Sequence, residues 1–278
     1  MFFVITGFLL SAMSCSPERK LAKTFIKNDK QLEFLLMSPE YLYKVNLKKY
    51  ELDGEDTSTQ WKKDSILLAK SLFLKNIDDT IFLKDYMQGF AAQLRKYGLA
   101  VYPESDLDSL MKVSSKTFIV NVAQFSVEEY VHPFTTDQEV SGQILTIKDI
   151  DLNALNFNTW IELSRMNTDT KRALLFSSDQ LFDKIDGSFK QYFLNPDITF
   201  EYTIDTITIS DIYKKARLLG EKDGAYLFDY LMNKYIQAGL PENFPFEPQY
   251  FYFDPESRRL HLINPDEGDA FIEMKDNE

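Results

Sequence analysis

The chain has 278 residues, of which 44% are hydrophobic and 27% charged, with only ten glycines and ten prolines. That composition fits a globular body and excludes a disordered or low-complexity chain. A net charge of −12 argues against a nucleic-acid partner, which would require a basic face.

The chain opens on an uncharged apolar leader, residues 1–14, and then Cys15, the only cysteine. Phe2–Leu10 suits the short apolar region of a signal peptide, and fourteen residues are too few to span a hydrocarbon core that takes about 20. Ala12-Met13-Ser14-Cys15 reads as a loose lipobox, so residues 1–14 are expected to be a lipoprotein signal peptide and Cys15 the lipidation site. Two acyl chains on that thiol would anchor the protein stably where one would not. No positive charge precedes the apolar run, so either the start lies upstream or the signal is degenerate. The competing reading is a buried N-terminal strand with an ordinary core cysteine.

Ser16-Pro17 is an N-cap followed by proline at the first helical position. Leu21, Phe25, Leu32, Leu35 and Leu36 then recur on one side, predicting a helix that runs up to Ser38-Pro39. Eight basic residues fall between Arg19 and Lys49, facing either anionic headgroups or plain solvent. After a polar loop at 51–59 comes a helix over roughly Lys62–Leu74. The clearest helix is Thr80–Tyr97, with Leu83, Met87, Phe90, Leu94 and Tyr97 along one stripe and Gly98 as its C-terminal cap.

From there the pattern is mainly β. Leu99–Tyr102 is a short strand, and Lys116–Val127 is apolar on both faces, as a central strand would be. Gln143–Ile150, Asn156–Leu163 and Lys171–Phe176 are further strands. Phe157, Ile161 and Leu163 share one face and Trp160 points to the other. Thr199–Ile209 alternates but slips phase before Ile207, which reads as a β-bulge. Ser210 caps a long helix to about Gln237, with a possible break at Gly220–Gly224. Gln249–Phe253 and Arg259–Ile263 form a closing hairpin. The predicted fold is α+β, a mostly antiparallel sheet with helices packed on it after an N-terminal helical segment. Residues 15–278 make one domain: a helical part at about 16–98, a mainly β part at about 99–209, then the helix and hairpin.

The available chemistry is narrow. Two histidines and one cysteine give no zinc-binding spacing, and no nucleophile elbow or phosphate loop occurs. His132, before Pro133 at a strand end, and His261, in the last strand, read as surface or hydrogen-bonded residues. No cofactor or metal is expected and no catalytic residue is assigned. Asp149-Ile-Asp151-Leu-Asn153 and Asp266-Glu-Gly-Asp269 have oxygen-rich spacing but miss the EF-hand pattern. The aromatic tail offers Tyr250 and Tyr252, with Trp160, as a possible binding surface.

Ser14-Cys15-Ser16-Pro17, Met37-Ser-Pro-Glu-Tyr41, Asn46-Leu-Lys48 and Asn121-Val-Ala-Gln124 carry a resemblance. Val127-Glu-Glu-Tyr130, Tyr226–Tyr230, Asn233-Lys-Tyr235 and Leu240-Pro241 extend it along the chain. Through these the chain resembles envelope lipoproteins of Bacteroidetes-type bacteria. The resemblance implies a Gram-negative envelope and, with Ser16 after the cysteine, an outer-membrane destination; it carries over no catalytic residue. The expected function is a lipid-anchored, non-catalytic interaction or structural component, held by the membrane and partnered with another envelope protein. A glycan-binding module and a hydrolase with paired carboxylates are the alternatives.

Overall fold

A computed structural model describes residues 16–28, 32–55, 58–110, 117–166, 172–192, 195–263 and 270–274. Cys15 and the leader lie outside the described residues, as does the Asp266–Asp269 cluster. The first helix, α1 (Pro17–Asn28), is capped as its sequence demands, with the Arg19 N–H donating to Ser16 Oγ at 3.2 Å. It stops well short of Ser38. The run Phe34-Leu35-Leu36 is instead buried on both faces in strand β1 (Glu33–Met37). Leucines at 32, 35 and 36 satisfy helical spacing, but an unbroken apolar run of this length equally suits an interior strand, and tertiary pairing decides.

Next come β2 (Tyr43–Asn46), α2 (Gln60–Lys70), α3 (Asp79–Lys96) and β3 (Ala100–Pro103). Asp78 caps α3 through the Ile81 N–H, and Gly98, at φ +85°, closes it where a side chain would be strained. A short helix α4 (Leu107–Leu110) precedes two very long strands, β4 (Thr117–Val140) and β5 (Gln143–Arg165). The segments Gln143–Ile150 and Asn156–Leu163 are thus one strand, and Pro133 interrupts nothing. Its missing N–H falls beyond Glu129, where the last residue of β2 pairs, on an edge needing no donor. Strands β6 (Ala173–Phe182), β7 (Lys184–Tyr192) and β8 (Asn195–Asp205) follow. β8 ends at Asp205, so the phase slip before Ile207 marks the end of the strand rather than a bulge. Helix α5 (Ile209–Gly239) starts from a Thr208/Asp211 capping box, not from Ser210, and runs unbroken through Gly220 and Gly224. β9 (Phe251–Asp254), β10 (Arg259–Leu262) and β11 (Ile272–Met274) complete the chain.

The fold is α+β with a mostly antiparallel sheet. Its order is β11-β6-β5-β4-β1-β3, and β2 joins β4 beyond the end of β1. The parallel pairings are confined to β1, β2 and β3. α3 lies on one face: Phe82 meets Phe125 at 5.1 Å and Phe157 at 5.9 Å, and Tyr86 meets Phe125 at 4.9 Å. Leu83, Phe90 and Leu94 are buried in the same core as Val120 and Val122, with Met87 and Phe118 at its margin. α5 crosses α3 backbone to backbone. A Cβ on Gly220 would stand 2.0 Å from the Tyr86 carbonyl oxygen, and one on Gly89 2.1 Å from that of Arg217. The apparent break in α5 is therefore a close-packing site.

Candidate functional site

Side chains alternate across a strand, and the register of β4, β5 and β6 sorts them into two sets. Odd-numbered residues Phe125, Val127, Phe157, Ile161 and Leu175 form the core beneath α3 and α5. Even-numbered residues of β5, of β6 and of β4 after its register shift at Val122/Gln124 face away from the helices; before the shift the even residues Val120 and Val122 are the core-facing ones. At one end of that outer face Trp160 packs on Phe176 at 5.2 Å. In the middle Asn156 donates to Glu128 and to Asn158 and accepts from Ser178 Oγ. At the other end His132 stacks on Phe182, 4.7 Å apart and 16° from parallel, and Tyr130 meets His132 edge-on at 6.4 Å. His132 is therefore a mid-strand residue in an aromatic cluster, not a strand-end residue. The Tyr130 hydroxyl is buried without a hydrogen-bond partner among the described residues, and desolvation raises its pKa.

Beyond this cluster β4 and β5 leave the sheet together. β2 pairs with β4 only as far as Glu129, and β6 pairs with β5 only from Ala154. The remaining stretch is a two-stranded ribbon closed by a two-residue loop, Ser141-Gly142, at φ +52° and +82°. Ile144, Leu145 and Ile147 lie on it with more than half of their surface in solvent (58%, 52% and 57%). β7 and β8 form a second ribbon that begins just after β6 ends, at the Ala154 end of β5, so both ribbons start from the same end of the sheet.

A buried polar network holds the root of this fork. Lys48 Nζ lies 2.9 Å from Glu129, with both side chains buried, and donates to Asn153 Oδ1 at 3.2 Å. Glu129 also accepts from the N–H groups of Leu72, Phe73 and Leu74. Asn153 donates through Nδ2 and its backbone N–H to Asp183, which also accepts from the Ile207 N–H at 2.8 Å. Removing one charge of such a buried pair leaves the other uncompensated, at about 3–5 kcal/mol. The root is accordingly rigid. Asn153 thus serves the network, while Asp149 accepts from Thr135 Oγ1 at 2.7 Å. Among the described residues no three His, Cys, Asp or Glu side chains gather as a metal site.

The sequence-predicted aromatics do not share one surface. Trp160 is on the outer sheet face. Tyr252 stacks on His261 across the β9–β10 hairpin at 4.8 Å. Tyr250 lines a cleft of about 280 Å³ with Tyr226, Tyr230, Asn233, Gln237 and Phe271. Two carboxylates reach the same cleft, and both are engaged. Glu273 pairs with Lys234 at 2.6 Å, and Asp229 accepts from the Phe253 N–H at 2.9 Å. Asn233 binds both polar groups of the Phe251 backbone, so α5 stands in for a strand beside β9. Burial raises the Asp229 carboxyl to about 8. Asp223, between Tyr86 Oη at 2.7 Å and Ser177 Oγ at 2.8 Å, is raised to about 6 by burial.

Sequence reasoning missed Tyr130, Phe182, Glu129, Asp183 and Asp229. The alternation of Glu128, Tyr130, His132 and Phe134 past Val127 was the one available signal for the first of these. Comparison of the sequence with known protein families and with curated proteins gives no match.

Proposed function

We propose that the chain is a lipid-anchored component of a bacterial cell envelope that binds a protein partner and performs no catalysis of its own. The β4–β5 ribbon carries this reading. A two-stranded ribbon is marginal alone in water, and this one exposes three large aliphatic side chains and edges that the sheet leaves unpaired among the described residues. Open edges accept a partner's strand, with main-chain hydrogen bonds giving affinity and side-chain contacts giving specificity. The rigid root favours binding because little ordering remains to be done on association. The anchor at Cys15 and the outer-membrane location follow from the lipobox and from the resemblance to Bacteroidetes-type lipoproteins.

Deleting residues 135–140 and 143–149 together leaves Ser141-Gly142 to close a shorter ribbon. The shortened protein should unfold at the parent's denaturant midpoint and lose the protein that co-purifies with the parent from solubilised membranes. Equal recovery of that protein with both chains would sink the proposal.

A second reading, glycan binding, is favoured by the cleft around Tyr250, where aromatic rings adjoin the amides of Asn233 and Gln237. Under it, Tyr250→Ala abolishes retention on a cell-wall polysaccharide while the ribbon deletion leaves retention intact.

A further inference from the structure

Away from the ribbons, a cavity of about 680 Å³ opens between α1, the C-terminal end of α3 and the β9–β10 hairpin. Its size is that of a small-molecule site. Five cations reach its wall: Arg19 and Lys23 from successive turns of α1, Lys96 from the last turn of α3, and Arg258 and Arg259 from the hairpin. No acidic side chain lines it among the described residues. None of the five is ion-paired with a described carboxylate. The nearby Asp254 does not line it and is engaged within its own turn, accepting from Ser257 Oγ at 2.5 Å and from the Glu256 N–H at 2.9 Å. In a chain of net charge −12, five cations collected from three distant segments run against the overall trend, and their mutual repulsion opposes folding.

The floor of the cavity is fixed. Tyr97 lies flat on Phe228, 4.1 Å away and 1° from parallel, and donates to the Phe253 carbonyl at 3.3 Å. Arg258 closes the turn of the β9–β10 hairpin at φ +54°, a left-handed conformation that hairpin turns commonly use and that costs backbone energy for any residue but glycine.

We propose that this cavity binds a phosphate-bearing ligand. Arginine forks match phosphate oxygens bidentately, and a multiply charged anion relieves the repulsion among the five cations. The phosphate could belong to a soluble compound or to an anionic phospholipid headgroup. The second source suits Arg19, which follows Cys15 closely in the sequence.

The full chain tests this in two arms. One is calorimetric titration with pyrophosphate. The other is flotation with vesicles of phosphatidylcholine alone or mixed with phosphatidylglycerol, so that any leader-driven insertion is common to both. The variants are Arg258→Gly, the double change Arg19→Ala with Arg259→Ala, and Lys84→Ala as a remote control. In whichever arm the parent binds, the first two should weaken binding about tenfold or more, the scale of lost hydrogen bonds to a charged group. Lys84→Ala should not. Arg258→Gly should also keep or raise the unfolding midpoint, because glycine relieves the left-handed strain, so misfolding cannot account for its loss. Pyrophosphate binding without a phosphatidylglycerol preference assigns a soluble ligand, the reverse assigns a headgroup, and both assign the phosphate itself. Absence of binding in both arms, or binding indifferent to the cavity variants, overturns the proposal.

Discussion

Gly220→Ala sets two physical effects against each other. Alanine is the better helix former by about 1 kcal/mol, so α5 viewed alone should gain stability. The new methyl, however, would sit 2.0 Å from the Tyr86 carbonyl oxygen, 2.9 Å from its carbonyl carbon and 2.8 Å from the Phe90 nitrogen. All three are backbone atoms of α3 and cannot rotate away. Ordinary contact begins near 3.4 Å, so the two helices must part locally by roughly 1.4 Å, a shift that loosens close-packed neighbours. That separation would stretch the Tyr86–Asp223 hydrogen bond of 2.7 Å and open space around the buried Phe90 ring. Overpacking typically costs about 1–3 kcal/mol, and two rigid backbones put this site at the upper end. After the helix-propensity gain the net loss is about 2 kcal/mol. For a domain of this size that lowers the melting temperature by about 4–8 °C. Guanidinium unfolding followed by circular dichroism can read it, with the exposed Leu218→Ala on the same helix as the reference, expected within about ±0.5 kcal/mol. A Gly220→Ala midpoint equal to or above the parent's would mean that α3 and α5 do not touch there.

Phe90→Ala should cost about 3–5 kcal/mol in the same assay, whereas Lys84→Ala and Arg95→Ala should stay within about ±0.5 kcal/mol; an unchanged Phe90→Ala midpoint would place α3 off the sheet. The stability contributed by Asp229 and Asp223 should fall as pH rises from about 4 to about 8. Asp229 and Asp223 keep their protons in the folded chain up to about 8 and 6, whereas the unfolded chain loses them near the ordinary value of about 3.9. Their contribution is whole below that ordinary value and gone above the folded one. Asp229→Asn keeps an acceptor for the Phe253 N–H, so it should flatten the decline and be the more stable protein at pH 8 by a few kcal/mol; parallel pH profiles for the two proteins would show Asp229 ionised in the fold. Cys15→Ser should abolish labelling by a fatty-acid analogue, and equal labelling of both proteins would remove the anchor.

The legible parts of the fold are those where one physical signal acts alone. The α3 stripe, the Ser16 cap, Gly98 and the closing hairpin are local patterns, and each is realised in the structure. β1 reads locally as helix because leucines at 32, 35 and 36 satisfy two periods at once, and only pairing with β3 and β4 chooses. The β5 half of the ribbon reads as a strand separate from the rest of β5 because solvent reaches both faces of the ribbon. Asp149, Asp151, Asn153 and Pro133 therefore read as turn signals where the apolar alternation lapses. Gly220 and Gly224 looked like a helix break, since a close approach by another helix leaves no mark in the local sequence.

The candidate sites were less legible still. Trp160 and Tyr250 stood out as aromatics, but their separation onto different surfaces is a property of the topology. Glu129, Asp183 and Asp229 are three acids among 43, distinguished only by burial. The cationic cavity joins residues 19, 96 and 259, which no local window connects.

Site-specific photo-cross-linking in intact cells tests the ribbon as a docking element most directly. A photoreactive side chain at Ile147, 57% exposed on the ribbon, is compared with one at Leu218, 58% exposed on α5. The account predicts one discrete protein adduct from position 147, lost when residues 135–140 and 143–144 are removed, and none from position 218. Adducts of equal yield from both positions, or none from position 147, would contradict it.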